Sequence, residues 1–588
     1  MVPLRQAVGP PLARAAGICP RTTGTPRLPT CRRNRVWSVI RYLRRLLFAG
    51  MKPHHRPAPQ HSPTVRTAAC PPIRNARRFS HCSGRQIRRD PIHPHEWGES
   101  VRTPCYGSPM SDASHSTRFL SRKPLMVTGL LLMVSGALAY FWIYVRPVPH
   151  DMPDTVSPDA LHAALTPDPS LPIDIAHTDV LVIAACTLRQ DRMGVYGHKY
   201  PTTPFLDRLA SQGVVFEEHF SQTPWTRPAM GALFTGKWPR QLKLDNPGAG
   251  KGFTAVLHPD HTLIAEVMAS QGYTAVGAVA NPNLKTRFGF SQGFSAYFEP
   301  EGTYKERTPI PTADEVVNNL LSMAAEVPLD QRLYARINVL DTHLPQKYTR
   351  RYLKLFDAQP QRLAKYDAAL RTVDAELARL FTELRAVRPN LLVLFAADHG
   401  EGLYLPRHHG PEHGNYVYRT TTQTPWIVYH PALPEPGRRI RGRSMNVDVL
   451  PTIADLLGIS SPASVNGASQ KAAILAQTTA AAHIYAYSET FFRKRHLSMV
   501  YDGQHQLIRT YTKPTETGPY TDQMFTAADW EGNTDVLLDE PAQASHLADM
   551  LTQWEALSLV LSANGPDVVN DNVDESTDDM LKALGYVD

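Results

Sequence analysis

Thr226 stands at a predicted helix start, after a loop and ahead of the small, apolar run Pro228-Ala229-Met230-Gly231-Ala232-Leu233. Free backbone N–H groups and the positive end of the helix dipole make such a start a place where an anion is held and a nearby nucleophile is favoured. Thr is also a preferred N-cap, so in isolation Thr226 reads first as a structural cap, and the motifs elsewhere in the chain favour the other reading. Three further stretches carry ligand chemistry. Asp398-His399-Gly400-Glu401 sets an oxygen donor beside a nitrogen donor, an arrangement able to hold a divalent cation, and His408, His409 and His413 follow it. Asp341-Thr342-His343 adds an imidazole. Cys186 ends an apolar run; its thiolate suits zinc rather than calcium or magnesium, while its thiol is an ordinary buried residue.

Elements that could position these groups alternate along the chain. Asp179–Ala185, Tyr273–Ala280, Leu333–Leu340, Leu391–Ala397 and Pro425–Tyr429 are apolar runs, and Val214–Phe216 is a short β-branched one, all predicting strands. Helical periodicity covers Thr203–Gln212, Leu263–Gln271, Ala313–Glu326, Arg362–Val387 and Val447–Leu457. Strands that are apolar throughout must be covered on both faces, so the predicted class is α/β with a doubly wound, mostly parallel sheet. Such sheets bind ligands beyond the carboxyl ends of their strands, where Cys186, Asp341–His343 and Asp398-His399 all fall. The catalytic domain is expected over 178–460 and a smaller antiparallel subdomain over 461–588, where Asp502-Gly503 between two apolar runs predicts a hairpin.

Read together, these motifs resemble the sulfatase branch of the alkaline phosphatase superfamily. Cys186-Thr187-Leu188-Arg189-Gln190-Asp191 through Gly197, Thr202–Ala210, Trp225–Gly236, Asp341-Thr342-His343, Asp398-His399-Gly400 with His413-Gly414, Pro431–Gly437 with Asp448–Thr452, and Leu581–Asp588 come in the family's order across 178–588. The resemblance implies Thr226 as nucleophile and metal ligand, with Asp398 and His399 as further ligands. It implies that His413 and His343 contact the anion or assist the leaving group, and that Arg227 and His409 bind substrate. Cys186 stands where the family has a metal-ligating Asp, and Thr342 where it has Pro. Asp191 reads as a cap or surface residue. One or two divalent ions are implied: zinc if Cys186 ligates, otherwise calcium, magnesium or manganese.

Thr226 cannot be converted to formylglycine because its β-carbon carries a methyl group, and Ala229 and Met230 replace the signature Ser and Arg. A metal-dependent hydrolase or transferase acting on phosphate- or sulfate-type esters through the Thr oxygen is therefore expected. The alternative is a non-catalytic relative that binds an anionic glycan or lipid head group.

Charge divides the chain sharply. Residues 1–109 hold 20 Lys and Arg against 3 Asp and Glu, leaving the remainder net acidic, so the overall +8 is no sign of nucleic-acid binding by the body. Five of the six cysteines lie in that same Pro- and Arg-rich stretch, which leaves Cys186 without an internal disulfide partner in the body. The stretch reads as disordered and as a gene-start artefact, with Met110 as the true start. Pro124–Val145 is free of charge over 22 residues, long enough to cross a bilayer core of roughly 30 Å. With Arg122 and Lys123 before it, the expectation is an uncleaved anchor in the cytoplasmic membrane, a linker over 146–177, and the body on the extracytoplasmic side.

Overall fold

The computed structural model describes residues 156–166, 174–244, 255–301, 310–403, 413–513, 518–570 and 574–584. The expected span at 124–145 and the basic stretch before it lie outside these residues. No helix among the described residues is long and apolar enough to cross a membrane.

Strands β1 (Asp179–Ala185), β2 (Val214–Phe220), β3 (Ala255–Val256), β4 (Thr274–Val279), β5 (Ala296–Phe298), β6 (Leu333–Val339), β7 (Leu391–Ala397), β8 (Gln423–Tyr429) and β9 (Arg438–Met445) precede residue 460. All but β3 join one sheet in the order β5-β4-β6-β1-β7-β8-β2-β9. Only β8 runs against its neighbours. Every residue of β6, β7 and β8 is buried, as continuous apolar runs under helices on both faces require. The expected strands match to within a residue or so, except that β2 and β8 are longer. The structure also adds β9, whose Arg-rich sequence carries no apolar run. It lies at the sheet edge, where Arg439 and Arg443 pair with Glu217 and Glu218 of β2. Charge is tolerated there because one side of the strand faces solvent, and it discourages pairing with another chain.

After β9 comes an antiparallel sheet of β10 (Ala486–Thr490), β11 (Leu497–Tyr501), β12 (His505–Tyr511) and β13 (Tyr520–Thr526). The expected hairpin is β11–β12, with Tyr501 opposite Gln506 and Gly503 at φ +102° in the turn. The helix Pro541–Ala563 packs on it and was not anticipated. β14 (Val569–Asn570) returns to pair with β3.

Burial leaves several ionisable groups with shifted pKa values. His219, His261 and His430 are pushed down to about 4 by desolvation, while Asp341 and Asp374 are pushed up to about 7 by the same cause. A histidine depressed from 6.5 to about 4 takes up a proton on unfolding between those pH values, so its contribution is lost as pH falls through that window. The raised carboxyls act oppositely between about pH 4 and 7. His343, His399 and His413 join the first group, at about 3 to 4, while burial also raises the Asp179, Asp207 and Asp398 carboxyls of the second. Relative to the parent between pH 6.5 and 5, His430→Gln is therefore expected to lose less unfolding temperature as pH falls and Asp374→Asn to lose more, read from thermal melts across that range.

Candidate active site

Four adjacent parallel strands, β4, β6, β1 and β7, end on the same sheet edge, and the residue or two beyond each supplies the site. Asn281 follows β4, Asp341–His343 follow β6, Cys186 follows β1, and Asp398-His399 follow β7. The helix Thr226–Thr235, entered from β2, closes the group. Its N-cap position is held by Trp225 without a side-chain cap bond. Thr226 is the first helical residue, and its hydroxyl is turned to the sheet edge instead of capping the helix, so the cap reading is set aside.

Thr226 Oγ1 lies 3.3 Å from His399 Nε2, 3.4 Å from Cys186 Sγ and 3.3 Å from Asn281 Nδ2. All four side chains are fully buried. Asp398 Oδ1 accepts from the backbone N–H groups of Thr187 (3.0 Å) and His399 (2.7 Å). Its Oδ2 accepts no hydrogen bond and sits 3.4 Å from His399 Nε2. His399 Nδ1 donates to the Gly400 carbonyl at 2.8 Å, which leaves a lone pair on Nε2. Two lone-pair atoms thus face each other, fully buried, beside a thiol. Ligand atoms of Cys186, Asp398 and His399 all fall within 4.8 Å of one another. A sulfur, an oxygen and a nitrogen so placed fit a divalent cation of the zinc type. Burial, then the Asp398 carboxylate, push the Cys186 thiol well up, a shift that a bound cation reverses.

The backbone is strained to make this geometry. Thr187 has φ +53°, unusual for a β-branched residue, and is held there by its N–H on Asp398 and its hydroxyl on the Cys186 carbonyl at 2.7 Å. Thr342, in place of the family's Pro, donates to the same carbonyl at 2.6 Å. Behind β7, Asn446 Nδ2 donates to the Asp398 carbonyl at 3.1 Å, and the His219 imidazole donates to Asn446 Oδ1 at 2.8 Å.

Three imidazoles line one side. The His413 ring lies 4.4 Å from that of His399 and 5.0 Å from that of His343. Desolvation pushes His343 down to about 4 and His413 to about 3, so both are neutral at pH 7. Glu401 Oε2 lies 3.3 Å from His413 Nδ1. Gly414 is pinned by its N–H on the Pro224 carbonyl and by Thr490 on its own carbonyl, which ties the His413 turn to the approach of the helix Thr226–Thr235.

Cys186, Thr226, His343, Asp398, His399 and His413 therefore converge as expected. Arg227 does not reach the pocket. Its guanidinium donates to the Ala255 carbonyl and Asn283 and stacks 3.8 Å from the Phe288 ring, because a buried cation must find acceptors and the nearest are in that loop. His408 and His409 lie outside the described residues. Asp191 is the bidentate partner of Arg189, whose Nη1 reaches the Glu401 carbonyl; it is more than a surface cap. Asn281 and Glu401 are the site residues that sequence reasoning missed. Asn281 stood in the one position that the strand-end rule flags after β4.

Gly400 admits no side chain, since an added Cβ would overlap the Thr420 carbonyl oxygen. Gly400→Ala is expected to displace the His399 turn and cut metal affinity by about 10–100-fold, as losses of supporting geometry do. Chelator competition on folded protein checks it.

The sulfatase family model matches residues 178–459, and the C-terminal N-sulphoglucosamine sulphohydrolase model matches 408–530. N-acetylgalactosamine-6-sulfatase of Canis lupus familiaris is 25% identical over 322 residues, covering 46% of this chain and 60% of that protein. Arylsulfatase A of Bos taurus is 34% identical over 103 residues, 16% of this chain and 19% of that protein. Among solved structures, one complexed with its substrate D-glucosamine-2-N,6-O-disulfate superimposes with a TM-score of 0.56 at 14% identity, covering 65% of this chain and 98% of that one. The phosphonate monoester hydrolase of Agrobacterium radiobacter gives 0.52 at 17% identity, covering 67% and 100%. The chain spans about 60% of the length of the N-acetylgalactosamine-6-sulfatases it matches. The motifs, the sheet order and both matched models agree, and over residues 178–530 the chain belongs to the sulfatase family.

Proposed function

We propose that this protein is a metal-dependent hydrolase of anionic esters that uses the Thr226 oxygen itself as nucleophile. The convergence of Thr226 Oγ1 with Cys186 Sγ and His399 Nε2 at 3.3–3.4 Å, beside the bare Asp398 Oδ2, carries this reading. Cys186, Asp398 and His399 would hold a divalent ion, whose positive charge favours ionised Thr226 and offsets the charge of the ester. Thr226 then forms the new bond to sulfur or phosphorus as the bond to the alcohol oxygen breaks, and water later releases the anion and restores the hydroxyl.

His343 and His413 line the anion's side of the pocket. Their depressed pKa values come first from desolvation, and an arriving anion favours the protonated imidazole. Glu401 Oε2, 3.3 Å from His413 Nδ1, favours that charge while the Arg493 cation opposes it, and His413 is assigned as the proton donor to the leaving oxygen. Sulfated sugars are the first substrate class, because the relatives are sulfatases and one structural neighbour holds glucosamine disulfate. Phosphate-type esters are the second, supported by a hydroxyl nucleophile that cannot form an aldehyde and by the phosphonate hydrolase neighbour. The uncharged run at 124–145 supports tethering to the cytoplasmic membrane with the catalytic domain outside.

Zinc is expected to co-purify with the chain and to restore turnover after chelation, where calcium does not. Cys186→Asp should reverse that preference toward calcium, magnesium or manganese. Thr226→Ala should lower turnover by about a thousandfold or more while retaining metal. Metal analysis with assays on aryl sulfate, aryl phosphate and phosphodiester substrates reads all three; metal-free protein of unchanged activity, or an active Thr226→Ala, would overturn the reading.

A further inference from the structure

The hydrogen bonds at the start of the helix Thr226–Thr235 follow from one group that can only donate. A guanidinium has no acceptor, so the Asn283 amide atom 2.9 Å from Arg227 Nη2 is its oxygen. That turns Asn283 Nδ2 onto Asn281 Oδ1 at 3.2 Å, where the Asn283 backbone N–H also donates at 2.9 Å. With its oxygen so engaged, Asn281 aims Nδ2 at Thr226 Oγ1 (3.3 Å) and Cys186 Sγ (3.4 Å). Amide orientation, ordinarily a matter of assignment, is here forced by the guanidinium. Arg227 is itself locked by the Ala255 carbonyl at 3.1 Å and the Phe288 ring at 3.8 Å. All five side chains of this circuit are fully buried. It closes on itself, because the residues gripping the Asn281–Asn283 loop, Thr226 and Arg227, are consecutive.

We propose that Asn281 is a catalytic residue whose amide N–H groups hold the Thr226 oxygen and the Cys186 sulfur and stabilise negative charge on both, and that Arg227, acting through Asn283, is the positioning residue that orients this amide. The proposal rests on the Thr226 nucleophile reading above. Both atoms become more negative when the site works, one as nucleophile and one as ligand. A donor already aimed at developing charge needs no reorganisation at the moment of reaction. Asn281 gives up no proton, and its polarity cannot invert while Arg227 faces Asn283.

In the full chain, Asn281→Ala is expected to lower kcat about 100-fold with KM within about threefold, the usual loss of one such donor. Asn281→Asp, which replaces the donor by an acceptor, should be no better. Arg227→Met keeps the apolar stem on Phe288 and should cost kcat about tenfold, as supporting residues do, yet add nothing in the Asn281→Ala background. Additive losses, or Asn281→Ala within about threefold of the parent, overturn the proposal. A second readout is the sulfur-to-metal absorption band of the cobalt(II)-loaded protein. Asn281→Ala and Arg227→Met should shift it, while Thr226→Ala, inactive under the parent reading, keeps the amide on the sulfur and the band present. A band unmoved by Asn281→Ala overturns the placement of the donor. Should the parent turn over no anionic ester, the nucleophile reading fails by itself and the band decides the amide. With neither turnover nor band, thermal unfolding of the same single and double variants decides: coupled losses keep the circuit, and additive losses overturn it.

Discussion

The site depends on one geometrical constraint, the parallel alignment of β4, β6, β1 and β7. Parallel strands bring their carboxyl ends to a common edge, so the first residues after each meet although they are far apart in the chain. Asn281, His343, Cys186 and Asp398 are assembled in this way. The strands themselves need only be apolar and buried. Their rigidity is what lets strained backbone at Thr187 and crowded backbone at Gly400 persist, since the sheet and its flanking helices outweigh the local cost.

Burial makes the assembled groups useful and also hazardous. Lone pairs of Asp398 and His399 facing each other without a proton, next to a thiol held neutral, are unfavourable unless a cation or protons compensate. The surrounding structure supplies what compensation it can. Asp398 takes two backbone N–H groups, Asn446 holds its carbonyl, and Arg189 with Asp191 braces the turn at Glu401. The charged and amide groups around the pocket thus hold the ligands in register.

The departures from the usual sulfatase pattern are mutually consistent. Thr226 stands at the formylglycine-precursor position and Cys186 at that of a carboxylate, and the two side-chain atoms lie 3.4 Å apart. Under the proposed function, a sulfur donor beside the Thr226 hydroxyl would suit a zinc-type ion, whereas the ordinary family site is built from hard oxygens. Asn281 faces both altered atoms, and the neighbouring Arg227, turned away from the pocket, faces the loop that carries Asn281. Substitutions at the start of one helix and the end of one strand are therefore coupled through a third element.

By itself the sequence determined the α/β class, most central strands and the β11–β12 hairpin, and it put forward Cys186, Thr226, His343, Asp398, His399 and His413, which the fold brings together. These are local signals: an apolar run marks a buried strand, and a ligand residue just past it marks the functional edge. The sequence did not reveal β9, because an edge strand with one solvent-facing side can be rich in Arg. It left open whether the Thr226 hydroxyl caps its helix or faces the sheet edge, and it sent Arg227 to the substrate. Tertiary structure decided those points, since the direction of a side chain at a helix start depends on what packs above it. Asn281 and Glu401 gained their places only in three dimensions: an amide or a carboxylate has no role until the fold sets a donor or acceptor opposite it.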